Sequence, residues 1–261
     1  MRLRIEHRTV YRYGAPIARG VQLVRLFPSA HAGAAVLSWR VTAEGGRVGE
    51  TFPDGFGNRC ALVDLDGGVT QTEIRVNGHV ETFDRGGGVE GLAEPLPASY
   101  FLRETRLTAA DEAIRRLTIE PDAPRERAIA LMHLVRDKVD YQPGATDVTH
   151  SAAEAFGLGA GVCQDHAHIF LAAARAQGMP ARYVSGYLFA GDWHAASHAW
   201  VEAFVGDGWI ALDPANREIV NDHYVRLAGG LDYADARPIA GVRFGGAEES
   251  LHVDVDVQHQ Q

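Results

Sequence analysis

Along the chain, the hydrophobic pattern changes from alternation at every second residue to helical spacing and then back to alternation. In the first third, apolar residues alternate with polar ones, as they do in half-buried strands. Turn signals rich in Asp and Gly lie between or within these runs. The pattern predicts several short strands and a β-sandwich-like N-terminal domain. The alternating sets are Leu3/Ile5, Leu37/Trp39/Val41 and Ile74/Val76/Val80, and the turn signals are Asp54-Gly55, Asp66-Gly67-Gly68 and Asn77-Gly78.

A helical region follows two stretches rich in Gly and Pro, residues 85–88 and 94–97, which we interpret as a linker. Beyond the linker, apolar residues recur at the spacing of one helix face. Candidate helix starts carry residues that accept hydrogen bonds from the first free N–H groups. The apolar stripe is Ile129, Met132, Val135 and Val139, the candidate N-caps are Thr108 and Asp122, and Ser151 with Glu154 matches a capping box.

Strands return after the helices, which is an α+β layout. Residues 182–190, 199–205 and 208–212 have strand character, and residues 251–257 alternate cleanly. The pattern leaves open which domain this closing strand joins. We predict a β-rich N-terminal domain over residues 1–90 and a second, α+β domain over residues 91–261.

Composition and charge narrow the classes of partner. The 261 residues carry a net charge of −9 and contain no basic block, which argues against binding to nucleic acid. The N-terminal residues have no apolar segment of a secretory signal, and no run of about 18 apolar residues could span a membrane. The two cysteines, Cys60 and Cys163, provide no disulfide framework. We therefore expect a cytoplasmic protein with reduced thiols and no membrane partner.

The first candidate catalytic residue is Cys163, which follows a Gly-rich turn and is the first residue of an apolar, helix-forming run. The run ends at Gly178 and Pro180, as helices commonly do. A thiol at a helix N-terminus feels the positive end of the helix dipole, which favours the reactive thiolate. Cys163 therefore has the setting of a nucleophile. Cys60 lies in a strand-like segment, and we interpret it as a small buried apolar residue.

His198 and Asp213 are suited to the other two positions of a nucleophilic triad. Gly206-Asp207 is a two-residue hairpin signal between their strands. If Val205 pairs with Gly208, His198 lies diagonal to Asp213 on one face, about 7–8 Å away, so their side chains can form a hydrogen bond. A slip of one residue would place the two side chains on opposite faces. Asp213 would then be only a residue of the turn that ends the strand.

Four linked motifs resemble the transglutaminase-like superfamily, and more narrowly its bacterial branch with a β-rich region ahead of a papain-like core. The resemblance covers most of the chain and implies a papain-like/transglutaminase core with an antiparallel sheet. It also implies Cys163 as nucleophile, His198 as base and Asp213 as the acid that orients His198. His166 stands where the family commonly has Phe, and it would add a second titrating group beside the site. The motifs are residues 161–168, 180–187, 198–202 and 208–214.

An acyl-transfer intermediate needs hydrogen-bond donors for its oxyanion. The backbone N–H of Cys163, at the helix start, would be one donor. Side-chain chemistry and a loose family similarity make Tyr141 and Gln142 candidates for the second; an ordinary helix-to-loop transition is the alternative interpretation. Trp200 is a further candidate for substrate contact, and with Trp209 we interpret it as a core or pocket-wall aromatic.

A metal site is the main competing hypothesis, because Cys163 has several histidines near it in the sequence. Positions three apart on a helix share a face, whereas positions two apart diverge. Cys163 and His166 could therefore converge, but His168 would point away. The chain also has no Cys-x-x-Cys pair. We predict no metal and no cofactor. The histidines concerned are His166, His168, His194 and His198.

Three function classes fit these residues. We favour a cysteine protease or amidase that acts on a peptide or protein substrate. A protein-glutamine γ-glutamyltransferase would use the same triad with an amine in place of water. A non-catalytic binding or scaffold protein that retains the triad is the third class. The chain shows no complete EF-hand loop, since residues 64–68 lack the Glu at the twelfth position, which disfavours a calcium-activated crosslinker.

Overall fold

The computed structural model describes residues 1–191 and 196–260. Within them, the helices are α1 (Glu112–Arg115), α2 (Pro124–Lys138), α3 (Ala152–Leu158), α4 (Cys163–Ala176) and α5 (Tyr233–Ala236), with a 3₁₀ turn at Ala98–Leu102. The strands are β1 (Arg2–Tyr13), β2 (Ile17–Val24), β3 (Ala34–Glu44), β4 (Gly46–Pro53), β5 (Arg59–Leu65), β6 (Gln71–Thr82), β7 (Gly88–Val89), β8 (Asp140–Tyr141), β9 (Ala160–Gly161), β10 (Ala181–Leu188), β11 (Ala196–Phe204), β12 (Trp209–Asp213), β13 (Glu218–Ile219), β14 (Tyr224–Gly230), β15 (Ile239–Gly245) and β16 (Glu249–His259).

Alternation along the first strands builds a β-sandwich. Two four-stranded antiparallel sheets, ordered β16-β1-β6-β3 and β15-β2-β5-β4, pack around one apolar core. Ile5 and Ile74 reach this core from the first sheet, and Val24 and Val63 reach it from the second. Since side chains alternate between the two faces of a strand, polar residues take the outer positions. The predicted α+β class with a strand-rich N-terminal region is confirmed.

The last two strands return to this sandwich. β16 pairs antiparallel with β1 over its whole length, from Leu3 opposite His259 to Tyr13 opposite Glu249. β15 pairs with β2. The division into residues 1–90 and 91–261 stays a prediction, but residues 239–259 fall in its second part and pair with its first. Their alternating pattern is the same for either sheet, so only the long-range pairing reveals their partner.

The expected turn at Asn77-Gly78 is wrong. Strand β6 runs through both residues, and Gly78 pairs with Ile5 on one side and Trp39 on the other. A Cβ atom at Gly78 would come 2.0 Å from Cε3 of Trp39, so glycine is required here by the close approach of the indole. Trp39 itself is anchored by its Nε1–H, which donates to the carbonyl of Leu26 at 2.8 Å.

Gly78→Ala should destabilise the sandwich by about 1–3 kcal/mol, because the added methyl group forces the Trp39 ring out of its site. Urea denaturation of the two proteins measures the difference. Gly157→Ala is the matched control, since it lies in α3 and its Cβ would meet nothing within 4 Å. We expect that control to be neutral or slightly stabilising, because alanine favours the helix over glycine. Equal effects of the two substitutions would contradict the steric argument.

Helices α2, α3 and α4 cover one face of a central antiparallel sheet, ordered β13-β12-β11-β10-β14, with β7 paired to β12. α4 lies almost wholly buried, and its Phe170 and Leu171 pack with Val201 and Leu212. None of the helices formed by the described residues has the length and apolar character needed to cross a bilayer. The cytoplasmic location stays a prediction.

The predicted apolar stripe and capping box form in the structure, whereas the two predicted N-caps do not. Met132, Val135 and Val139 of the predicted stripe are buried, and the capping box of Ser151 and Glu154 forms in both directions. The candidate N-caps Thr108 and Asp122 are wrong. Asp111 caps α1 by accepting from the N–H of Ile114 at 2.8 Å, and α2 begins at Pro124, whose fixed φ favours the first helical position.

Candidate active site

Cys163 is the first residue of α4, and the structure fixes this helix start through Asp165. The buried carboxylate of Asp165 accepts from the backbone N–H of Val162 at 2.7 Å and from the hydroxyl of Thr146 at 2.6 Å. Gly161 is needed beside it, because a Cβ there would come 2.6 Å from the Asp165 side chain. The result is a partly exposed thiol at the positive end of a buried helix.

The hairpin between β11 and β12 has the predicted register. Val205 donates its N–H to the carbonyl of Gly208 at 2.9 Å, and Gly206 takes the left-handed conformation with φ of +95°. The pairing continues regularly along the two strands. It brings Nε2 of His198 to 2.7 Å from Oδ2 of Asp213, as the diagonal placement predicts.

Asp213 is fully buried and accepts five hydrogen bonds. Oδ1 accepts the backbone N–H groups of Ala215 and Asn216, as a turn-forming aspartate does. Oδ2 accepts from His198, from Nδ2 of Asn216 at 2.7 Å and from the hydroxyl of Tyr224 at 2.9 Å. Burial alone would raise the pKa of Asp213, but these donors, His198 first, lower it. Oδ1 of Asp213 therefore stabilises the turn, and Oδ2 binds His198.

His198 lies between two acidic groups. Nε2 faces Asp213, which leaves Nδ1 for Cys163, the residue that lines the same cavity as His198. Burial lowers the pKa of His198, but the hydrogen bonds and charges of Asp213 and Cys163 outweigh burial and raise it to about 10. The arrangement therefore favours the imidazolium form of His198 at neutral pH.

Trp200 holds His198 from behind and does not contact the cleft. Its ring lies 6.4 Å from the His198 ring at an interplanar angle of 24°, and it is 1% exposed. Tyr224 packs edge-on against Trp200 at 5.4 Å. The interpretation of Trp200 as a core aromatic is consistent with this burial, whereas its candidacy for substrate contact is not. Tyr224 was missed by the sequence analysis, because it comes from β14, outside the four motifs.

Tyr141 and Gln142 lie next to the site but outside its cavity. The strands β8 and β9 pair in parallel, and the N–H of Gln142 donates to the carbonyl of Gly161 at 2.8 Å. Tyr141 is half-exposed and stacks on His166 at 6.1 Å. Burial, with the nearby charges of Cys163 and Asp213, raises the pKa of Tyr141. The role of either residue as second oxyanion donor stays a prediction.

The helix histidines are engaged by the protein itself. The ring nitrogens of His166 face the carbonyls of Val162 at 2.8 Å and Val139 at 3.0 Å. Nε2 of His168 accepts the backbone N–H of Tyr233 at 3.2 Å. Among residues 1–191 and 196–260, no three His, Cys, Asp or Glu side chains come together as a metal-binding set. His194 lies outside these residues, and the absence of a metal stays a prediction.

Tyr224→Phe should lower turnover by about tenfold or less, because Asp213 would lose one of its five donors and keep His198. The loss should appear in kcat, since the hydroxyl lies beneath the triad and does not line the cavity. Steady-state kinetics on a verified substrate measures it. A loss as large as that of His198→Ala would mean that Tyr224 itself takes part in proton transfer.

Comparisons with known proteins cover both parts of the chain. Residues 111–214 match the family model of the transglutaminase-like superfamily, and residues 3–81 match that of the bacterial transglutaminase-like N-terminal region. An uncharacterized protein of Mycobacterium leprae is 30% identical over 278 aligned positions, covering 98% of each chain. An uncharacterized protein of Mycobacterium tuberculosis is 27% identical, and the alignment covers 98% of this chain and 92% of that protein. A solved structure from Cytophaga hutchinsonii, provisionally described as a cysteine protease, has a TM-score of 0.78 at 22% identity and covers 100% of this chain and 92% of its own.

Proposed function

Because the chain belongs to the transglutaminase-like superfamily, we propose that it is a cysteine-dependent acyl-transfer enzyme that hydrolyses amide or peptide bonds. Cys163 is the nucleophile, His198 the general base and acid, and Asp213 the residue that orients His198. One observation carries the proposal: Nε2 of His198 lies 2.7 Å from Oδ2 of Asp213, and His198 lines the same cavity as Cys163, the first residue of α4. This is the relation that thiol activation requires.

The first half of the reaction forms a thioester. The Cys163 thiolate adds to the amide carbon, and the carbonyl electrons move onto its oxygen, which accepts the backbone N–H of Cys163. The intermediate collapses, the C–N bond breaks, and the imidazolium of His198 gives its proton to the leaving amine. The acyl group stays bound to sulfur.

The second half releases the acid. Neutral His198 removes a proton from a water molecule as that water attacks the thioester carbon. The C–S bond breaks, the carboxylic acid departs, and the thiolate and imidazolium are restored. Two observations support water as the acceptor: Cys163 is partly exposed, and the cavity beside it opens to solvent. The provisional description of the Cytophaga hutchinsonii relative as a cysteine protease agrees with this choice.

The experiment is to incubate the protein with a library of glutamine-containing peptides, with and without a primary amine, and to read the products by mass spectrometry. Cleaved or deamidated peptides are the expected result. Amine adducts as the main product would replace hydrolysis by glutamyl transfer with the same three residues. Cys163→Ala is the control, and products that persist in it would overturn the proposed mechanism. A complete lack of products would favour the scaffold class.

A further inference from the structure

The cavity beside Cys163 is closed on its far side by the N-terminal sandwich. Its volume is about 280 Å³, and its lining includes Cys163 and His198 from the α+β core. The opposite wall comes from neighbouring strands of one sandwich sheet, with Tyr11 on β1 and with Leu251 and Val253 on β16. In the register of these strands, Tyr11 stands opposite Leu251, and Thr9 opposite Val253. We call this surface the sandwich wall.

The sandwich wall continues the apolar inner face of the sheet beyond the sandwich core. Leu3 and Ile5, at alternate positions of β1, are buried in that core. Further along the same face, Leu251 and Val253 are 56% and 43% exposed. These two side chains contribute little to the folded core, because they remain largely exposed to water. Apolar side chains that flank a candidate nucleophile and stay exposed in the unbound protein are available to a ligand.

The polar groups of the wall are paired with each other. The ring nitrogens of His7 lie 2.8 Å from the hydroxyl of Tyr187 and 2.7 Å from that of Thr9. Burial lowers the pKa of His7 to about 4, so the imidazole is neutral at pH 7. None of the described residues that line the cavity is Asp, Glu, Lys or Arg, although the whole chain carries a net charge of −9. A charged ligand group bound against the sandwich wall would find no opposite charge on the wall to offset the loss of its water.

We propose that the sandwich wall is the specificity surface of the enzyme and binds an uncharged, apolar side chain next to the reacting amide. The substrate class is a peptide or N-acyl amide with an aliphatic or aromatic residue at that position. This inference rests on the proposed function, since it assumes that the reacting carbonyl is held at Cys163. The volume of the cavity suits one or two side chains, so selection acts on the immediate neighbour of the scissile bond.

Alkylation of Cys163 tests the wall without requiring turnover. The reagents are iodoacetamide, N-benzyl iodoacetamide and iodoacetylglycine, which carries a carboxylate in place of the benzyl ring, each rate being divided by its rate with glutathione. Intact-mass and peptide analysis separate Cys163 from the fully buried Cys60. We expect N-benzyl iodoacetamide to react with Cys163 about tenfold faster than iodoacetamide, a ratio typical of one apolar group in a pocket, and iodoacetylglycine to react no faster than iodoacetamide.

The variants assign the preference to the wall. Leu251→Asn should remove most of the rate advantage that the benzyl reagent has over iodoacetamide. Val242→Asn is the matched control, because Val242 is also an apolar strand residue, is 72% exposed and lies outside the cavity lining. Thermal melting checks that both variants fold, and Val253→Asn replaces Leu251→Asn if the latter does not.

The outcomes separate the two proposals. If iodoacetamide labels Cys163 no faster than Cys60, the proposed function fails and the inference falls with it. If Cys163 reacts rapidly but the three reagents do not differ, only the inference is overturned. The inference is likewise overturned if the benzyl preference survives Leu251→Asn and Val253→Asn, or if Val242→Asn abolishes it.

Discussion

Cys163→Ala should abolish turnover, with a loss on the order of 10⁶ in kcat by analogy with the removal of a nucleophile from another triad. The substitution removes the atom that forms the thioester, and no other thiol can replace it. Cys60 is fully buried, and burial raises its pKa to about 12, so it stays a protonated thiol at neutral pH. The fold should remain intact, because the Cys163 side chain lies at the edge of the core and is partly exposed.

Two measurements check this result. Activity on a verified substrate is compared among the unmodified protein, Cys163→Ala and the matched control Cys60→Ala, and circular dichroism confirms that each is folded. Iodoacetamide should label Cys163 much faster than Cys60 in the native protein. Equal labelling of the two thiols, or turnover retained in Cys163→Ala, would exclude Cys163 as the nucleophile.

The settings of Cys163 at a helix start and of His198 beside Asp213 could be predicted because short-range rules determine them. Gly161 and the apolar run after Cys163 define a helix start, and Gly206 with Asp207 defines a tight hairpin. The hairpin fixes which residue of β12 lies near His198, and the structure has that pairing. Each step depends on residues close together in the sequence, where turn chemistry and helix signals are strong.

The surroundings of these three residues could not be predicted, because they depend on long-range contacts. Tyr224 reaches Asp213 from β14, which pairs with β10 on the far side of β11. Leu251 reaches the cavity from a strand that pairs with the first strand of the chain. A period-two pattern identifies a strand and its buried face but not its neighbours.

The error at Asn77-Gly78 has the same origin. This dipeptide is a strong hairpin signal because both residues tolerate positive φ. In this chain, the lack of a Cβ at Gly78 is used differently, by the ring of Trp39 on the neighbouring strand. The dipeptide Asn77-Gly78 is compatible with either a turn or a strand, and packing against the neighbouring strand selects the strand.

Asp213→Asn should lower turnover by about 10²–10⁴, up to the loss of about 10⁴ that follows the same change in another triad. Every partner of the Asp213 carboxylate is a donor. An asparagine must therefore point its NH₂ either at the backbone N–H groups of Ala215 and Asn216 or at His198 and Tyr224. The first choice disturbs the turn and the second disturbs His198, so neither preserves the site.

The same substitution should move the alkaline limb of the pH–rate profile. The imidazolium of His198, which the proposed mechanism requires, exists below the pKa of His198, which the site raises to about 10, and is lost as the pH rises through that value. Asp213 raises this pKa through its hydrogen bond and its negative charge, so the alkaline limb of Asp213→Asn should lie at lower pH. Asn216→Ala is the control, because it removes a donor to Asp213 and keeps the carboxylate charge.

The double variant tests whether Asp213 acts only through His198. His198→Ala and Asp213→Asn should not be additive, because Asp213 acts on the reaction only through His198. The combined variant should therefore be about as slow as His198→Ala alone. If Asp213→Asn instead kept nearly full activity with an unshifted alkaline limb, the hydrogen bonds of Asp213 to Ala215 and Asn216 would be its whole role. The pKa of His198 would then have to be raised by Cys163 alone.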